Sequence, residues 1–208
     1  MTTSTTTTTA PDRAQRDAAW LRLVLVSLAV GIVSLVVFAI VGTLFTTISE
    51  GDFRYAADYW YTGVGLPLTL IGIGHTLGFH KLQHGADGRL GTIGLWVNAL
   101  AMTELFAQLL TSVVVGAEVR WGAAYPVFAM VSFVGMALLA AGSWRTGLLP
   151  RWVLGTWPVI WIVGCLAAKG PTPLLLAAFF VVFGAMLTRS VGTAGAQPAA
   201  TTVVAASG

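Results

Sequence analysis

GTIGLWVNALAMTELFAQLLTSVVVGA, residues 91–117, carries one charged side chain, Glu104. A helix needs ~20 apolar residues to cross ~30 Å of hydrocarbon, and this run exceeds that. Five further uncharged runs flank it, at residues 23–48, 59–79, 121–144, 152–168 and 171–188. Only short loops separate them. The expected fold class is therefore all-α: a polytopic membrane protein folded as a bundle of six transmembrane helices (residues 20–189).

Composition agrees. The 208 residues are 56% hydrophobic and 9% charged, against about 25% charged in soluble domains. Lys and Arg set orientation, because cytoplasmic loops are enriched in them. One side collects Arg13, Arg16, Arg22, Lys81, Arg89, Arg145, Arg151 and Arg189. The other has only Arg54, Arg120 and Lys169, and it also holds Glu50, Asp52, Asp58 and Glu118. Both termini are thus expected in the cytoplasm, with the protein in the plasma membrane. The net charge of +3 is spread along the chain beside apolar runs, so no nucleic-acid partner is expected. The lipid bilayer is the expected partner.

Cys165, the single cysteine, has no intramolecular partner and says nothing of redox compartment. The first run is longer than the 7–15 residues of a signal-peptide core and reads as a retained helix. Residues 1–19 are Thr-rich and residues 190–208 rich in Ala, Thr and Gly; both read as disordered tails without apolar periodicity. Aromatic residues such as Trp20, Trp60, Trp121, Trp144 and Trp152 mark run ends, as an interfacial belt does.

Glu104 is the first candidate site residue. It lies midway along its run, where a carboxylate costs ~2.5–3.5 kcal/mol and is expected to face the bundle interior. Gln108 follows one turn later on the same helix. Depth counting at ~1.5 Å per residue places Pro67, Ser34, Ser132 and Cys165 in the same layer. Pro67 lacks an N–H and frees the carbonyl four residues earlier, that of Gly63. The expected ligand or proton site is a polar layer of Glu104, Gln108, Pro67, Ser34 and Ser132; no catalytic residue is assigned.

His75 is the second candidate, ~7–8 Å inside the inner edge, with Asn98 at nearly the same level on the next helix. A His75–Asn98 hydrogen bond is the expected helix–helix pair. A relay from His75 to Glu104 needs a bridge over ~12 Å of depth. Only His75 lies within a span, so a bis-His haem in one chain is rejected. His80 and His84 form an i,i+4 pair followed by Asp87, a spacing that suits zinc, but the assured ligands are too few. Neither metal nor cofactor is expected. Trp157 and Trp161 share one helix face around Pro158, placed to pack or to stack on a flat ligand. Lys169 lies too far out for a buried Schiff base. The chain lacks phosphate-loop, nucleophile-elbow and zinc-protease motifs.

Gly74–Gly78 and Ser27–Gly31 are small residues four apart, a spacing that lets helices approach; packing within the bundle is expected, with homo- or hetero-oligomers left open. The two basic turns, Gly78–Gly91 and Gly142–Gly155, echo each other weakly, as parallel repeats would.

The strings His80-Lys81-Leu82-Gln83-His84-Gly85, Gly88-Arg89-Leu90-Gly91, Gly147-Leu148-Leu149-Pro150-Arg151-Trp152 and Gly184-Ala185-Met186-Leu187 resemble those of small uncharacterised multi-span membrane proteins of actinobacteria. The resemblance implies a fold and carries over no activity.

Three functional readings remain. The first is a binding or accessory membrane protein with its polar layer around Glu104, its partner a hydrophobic small molecule or lipid. The second is a small proton-coupled transporter using Glu104. The third is a membrane-embedded enzyme acting on a lipid or terpenoid substrate, which one intramembrane acid supports least.

Overall fold

The computed structural model describes residues 10–44, 51–119, 123–166 and 172–196. They form α1 (Ala10–Leu44), α2 (Ala56–Gly63), α3 (Gly65–Leu82), α4 (Gly88–Val115), α5 (Ala124–Ser143), α6 (Arg151–Leu166) and α7 (Thr172–Ala196). No strand occurs among the described residues. A single antiparallel bridge, Asp52–Ala117, ties the loop before α2 to the end of α4. Five helical stretches are long and apolar enough to cross a membrane: Arg13–Leu44, Ala56–Leu82, Gly88–Val115, Ala124–Ser143 and Thr172–Gly192. The remaining run corresponds to α6, described over 16 residues. Lys169, Trp121 and the side chain of Cys165 lie outside the described residues.

α1 begins well inside the arm expected to be disordered. Residues 13–19 read Arg-Ala-Gln-Arg-Asp-Ala-Ala, mostly strong helix formers, and Pro11 falls in the first turn, where its missing N–H costs nothing. Likewise α7 runs to Ala196, into the expected C-terminal tail. Residues 1–9 and 197–208 lie outside the description.

The second run is two helices, broken at Val64. Pro67 has no N–H for the Gly63 carbonyl, and α2 ends at Gly63. Val64 keeps helical dihedrals, φ −65° and ψ −22°, so the chain continues in nearly the same direction. The start of α2 is held by Asp58: its Oδ2 accepts from the backbone N–H groups of Arg54 and Tyr55, each at 2.9 Å. This satisfies N–H groups the helix start would leave free.

Short hairpins make successive helices neighbours. α3 packs on α1 and α4, α5 on α4 and α6, and α7 on α6 and α1. The six long elements therefore form a closed ring in chain order. Small residues set its tightest seams. A Cβ on Gly74 would stand 2.7 Å from Ser27 Oγ, and one on Gly78 3.1 Å from the Trp20 carbonyl, so Gly74–Gly78 serves the α1–α3 contact, while a Cβ on Gly31 would meet Phe180 of α7 at 2.9 Å and Ile71 of α3 at 3.4 Å. Between α4 and α5, a Cβ on Gly94 would meet Gly135 O at 2.6 Å, and one on Gly135 would meet Asn98 N at 2.5 Å. These two backbones touch.

The ring is filled by Phe79, Met102, Met136, Leu139, Leu154, Trp157, Phe180 and Phe183, all essentially inaccessible. Its outer surface is apolar as well: Trp96 is 69% and Val114 77% exposed. A bundle apolar on both faces suits a hydrocarbon surround.

Candidate functional site

The most densely hydrogen-bonded part of the interior centres on Asn98, not on Glu104. Asn98 lies on the buried stripe of α4 that runs through Gly91, Gly94, Leu95, Ala101, Met102, Leu105 and Gln108. Its Nδ2 donates to Gly72 O and to Thr76 Oγ1, both at 3.2 Å, on α3. Its Oδ1 accepts from Ser132 Oγ on α5 at 2.8 Å. Ser132 Oγ in turn accepts from Trp161 Nε1 on α6 at 2.9 Å. Thr76 Oγ1 is held at 2.7 Å from Gly72 O. Every polar atom of the Asn98 amide has a partner, and the chain of bonds joins α3, α4, α5 and α6. Asn98, Thr76 and Ser132 are fully buried. A satisfied network of this kind fixes helix register, because any slip leaves donors unpaired where water cannot reach them.

The expected His75–Asn98 bond does not form. Adjacent residues on a helix point ~100° apart, so α3 presents Thr76 to α4 and turns His75 toward α6 and α7. His75 Nδ1 lies 2.8 Å from Ile71 O. A carbonyl only accepts, so Nδ1 carries the proton and Nε2 the lone pair. Four rings surround this imidazole: Trp157, Trp161, Phe180 and Phe183, with centroids 5.5, 5.9, 5.7 and 6.4 Å away. Trp157 and Trp161 thus share one face, as their spacing indicates, and that face packs on His75.

Glu104 sits six residues beyond Asn98, ~120° round α4 from it. It is half-buried. Among the described residues it has no hydrogen-bond or ion-pair partner. Gln108 is buried, with Nε2 unpartnered. Ser132 is engaged by Asn98 and Trp161. Ser34 is buried on α1, whose main neighbours are α3 and α7. Pro67 borders a shallow open groove with Tyr59, Trp60, Gly63 and Val64. No hydrogen bond links the five residues of the expected layer. Ser132 belongs to the Asn98 cluster, which also includes Thr76 and Trp161. The azimuthal signal was present: the small residues Gly91, Gly94 and Ala101 mark the side of α4 that meets its neighbours, and Glu104 is off that line.

At the α3–α4 turn the histidines take separate carboxylates. His80 Nδ1 meets Asp87 Oδ2 at 2.5 Å, and His84 Nε2 lies 3.2 Å from Asp17 Oδ1 on α1. The second pair has ion-pair distance without hydrogen-bond alignment, since Asp17 Oδ1 counts no such bond. Among the described residues no group of three or more His, Cys, Asp or Glu side chains could hold a metal ion.

Fold and site together define a helical bundle of membrane-crossing proportions, locked internally by an Asn-centred hydrogen-bond network. Compared with family models, curated proteins and solved structures, the chain has no match.

Proposed function

We propose that the chain is an integral plasma-membrane protein of binding or accessory type, crossing six times with both termini in the cytoplasm. The observation that carries this reading is the Asn98 network, which pairs Asn98, Thr76, Ser132 and Trp161 across four helices. An interior committed in this way gives a rigid body whose outward apolar faces are left for lipid, a hydrophobic small molecule or a partner subunit. The α6 run, with apolar residues continuing to 168, makes the sixth crossing. The excess of Arg and Lys on the side of Arg22, Lys81, Arg89, Arg145, Arg151 and Arg189 supports the orientation.

Proton-coupled transport through Glu104 is the second reading, favoured by one observation: a carboxyl group half-buried midway along its apolar run, without a hydrogen-bond or ion-pair partner among the described residues. Reconstitution in liposomes loaded with a pH-sensitive dye separates the two. The binding reading expects no proton flux above empty liposomes for either the wild-type protein or Glu104→Gln. A flux that Glu104→Gln abolishes, in a variant that still assembles, overturns it in favour of transport. The enzyme reading has least support, since no contact joins Glu104 to His75 among the described residues.

A further inference from the structure

His75 Nε2 and Trp157 Nε1 are both buried without a hydrogen-bond partner among the described residues, and both side chains are wholly inaccessible. Their rings are neighbours, with centroids 5.5 Å apart. The two orphaned atoms are complementary. His75 Nδ1–H donates to Ile71 O, so Nε2 offers a lone pair, whereas an indole nitrogen only donates. They do not satisfy each other directly. Buried polar atoms are nearly always paired, through ordered water where no protein group reaches, and a buried water makes 2–4 such bonds.

The geometry points to a hydroxyl-binding site between His75 and Trp157, in which one O–H group accepts from the Trp157 indole and donates to His75 Nε2. A hydroxyl is the smallest group that does both. A carbonyl or an ether accepts but cannot donate, and an ammonium donates but cannot accept. Trp161, Phe180 and Phe183 wall the imidazole, and Phe79 packs edge-on against Trp157 and Phe183. The imidazole and the indole are thus bordered by aromatic rings. Water supplies the hydroxyl from the aqueous side; the head of a small alcohol supplies the same chemistry from the lipid side. The assignment stands apart from the binding and transport readings, since it rests on neither Glu104 nor the Asn98 network.

The test uses the full-length protein with 15N-labelled tryptophan and histidine in phosphatidylcholine nanodiscs, a lipid without hydroxyl groups. Trp157→Phe identifies the Trp157 indole resonance. A cross-relaxation peak from that N–H to a long-lived water, lost in His75→Phe, supports the site with water as occupant. A saturable shift of the same resonance on adding 1-butanol, with none on adding pentane, supports it with an alcohol as occupant. A scalar coupling between the indole proton and His75 Nε2 shows a direct bond and overturns the proposal. So does a Trp157 resonance with no water peak that ignores both 1-butanol and His75→Phe. Should His75→Phe fail to fold, His75→Gln keeps an acceptor at the site, and the water peak is expected to persist there.

Discussion

Gly135→Ala is the sharpest test of the α4–α5 contact. The added Cβ would stand 2.5 Å from Asn98 N, 2.9 Å from Asn98 Cα and 2.9 Å from Gly94 O, where ordinary contact begins at 3.4 Å. All three obstacles are backbone, so no side chain can swing aside. The helices must part by roughly 0.9 Å locally, the gap between 2.5 and 3.4 Å. Overpacking of this sort costs ~1–3 kcal/mol. Ser132 is one turn from Gly135 on the same helix, so separation also strains its 2.8 Å bond to Asn98 and the Trp161 bond behind it. Interhelical bonds in membranes are worth ~0.6 kcal/mol on average. Alanine returns ~0.5–1 kcal/mol of helix propensity. The net expectation is a loss of about 1–3 kcal/mol. Gly155→Ala is the control, because its Cβ would meet only the Trp144 ring, at 3.8 Å; that variant should match or exceed wild type. Unfolding by SDS titration in mixed micelles, followed by circular dichroism, reads both. Equal midpoints for Gly135→Ala and Gly155→Ala would refute the close backbone crossing.

Asn98→Leu removes the hub while keeping similar bulk, and should cost about 1–3 kcal/mol by leaving the buried Ser132 hydroxyl without its acceptor. In a double-mutant cycle by SDS titration, Asn98→Ala and Ser132→Ala should couple by at least ~0.6 kcal/mol; strict additivity contradicts the network. Asp17→Asn frees the start of α1 from His84. Hydrogen exchange over residues 13–20 should rise while global stability moves by less than ~1 kcal/mol, as for exposed ion pairs. Pro67→Ala restores an N–H to the Gly63 carbonyl, so the new amide at position 67 should show slow hydrogen exchange; fast exchange there assigns the break to another cause. In a Cys165→Ala background, a cysteine at Asp52 should react with an impermeant maleimide from outside intact cells, and one at Lys81 should not. The reverse pattern inverts the proposed orientation.

Much of this architecture was readable in the residues. Charge-free runs located the long helices, because desolvated charge is too costly to hide along them. Pro67 pointed to a freed Gly63 carbonyl, though not to the division into two helices at Val64, and Gly74–Gly78 pointed to a close seam. Depth was read only coarsely: counting residues set Ser132 level with Glu104 and Asn98 level with His75, yet Ser132 bonds Asn98 at 2.8 Å. Azimuth was harder. Glu104 drew attention as the lone acid, yet it lies to one side of the stripe through Gly94, Asn98 and Ala101. His75 and Asn98 share a level but face different neighbours, since one step along α3 exchanges His75 for Thr76. The helical start of α1 was masked by the polar character of residues 13–19, where Ala, Arg and Gln favour helix without any apolar pattern. Which faces meet depends on ring closure, a property of all the helices at once that no single run encodes.

The ring in chain order bears on how the protein is made. As the ribosome delivers each helix, its packing surface already waits on the one before it, so assembly can proceed by successive docking. The exception is the final closure, in which α7 must find α1, the first of these helices to leave the ribosome. Until then the imidazole of His75 lacks the walls that Phe180 and Phe183 supply, and the nascent chain carries an unsealed flank.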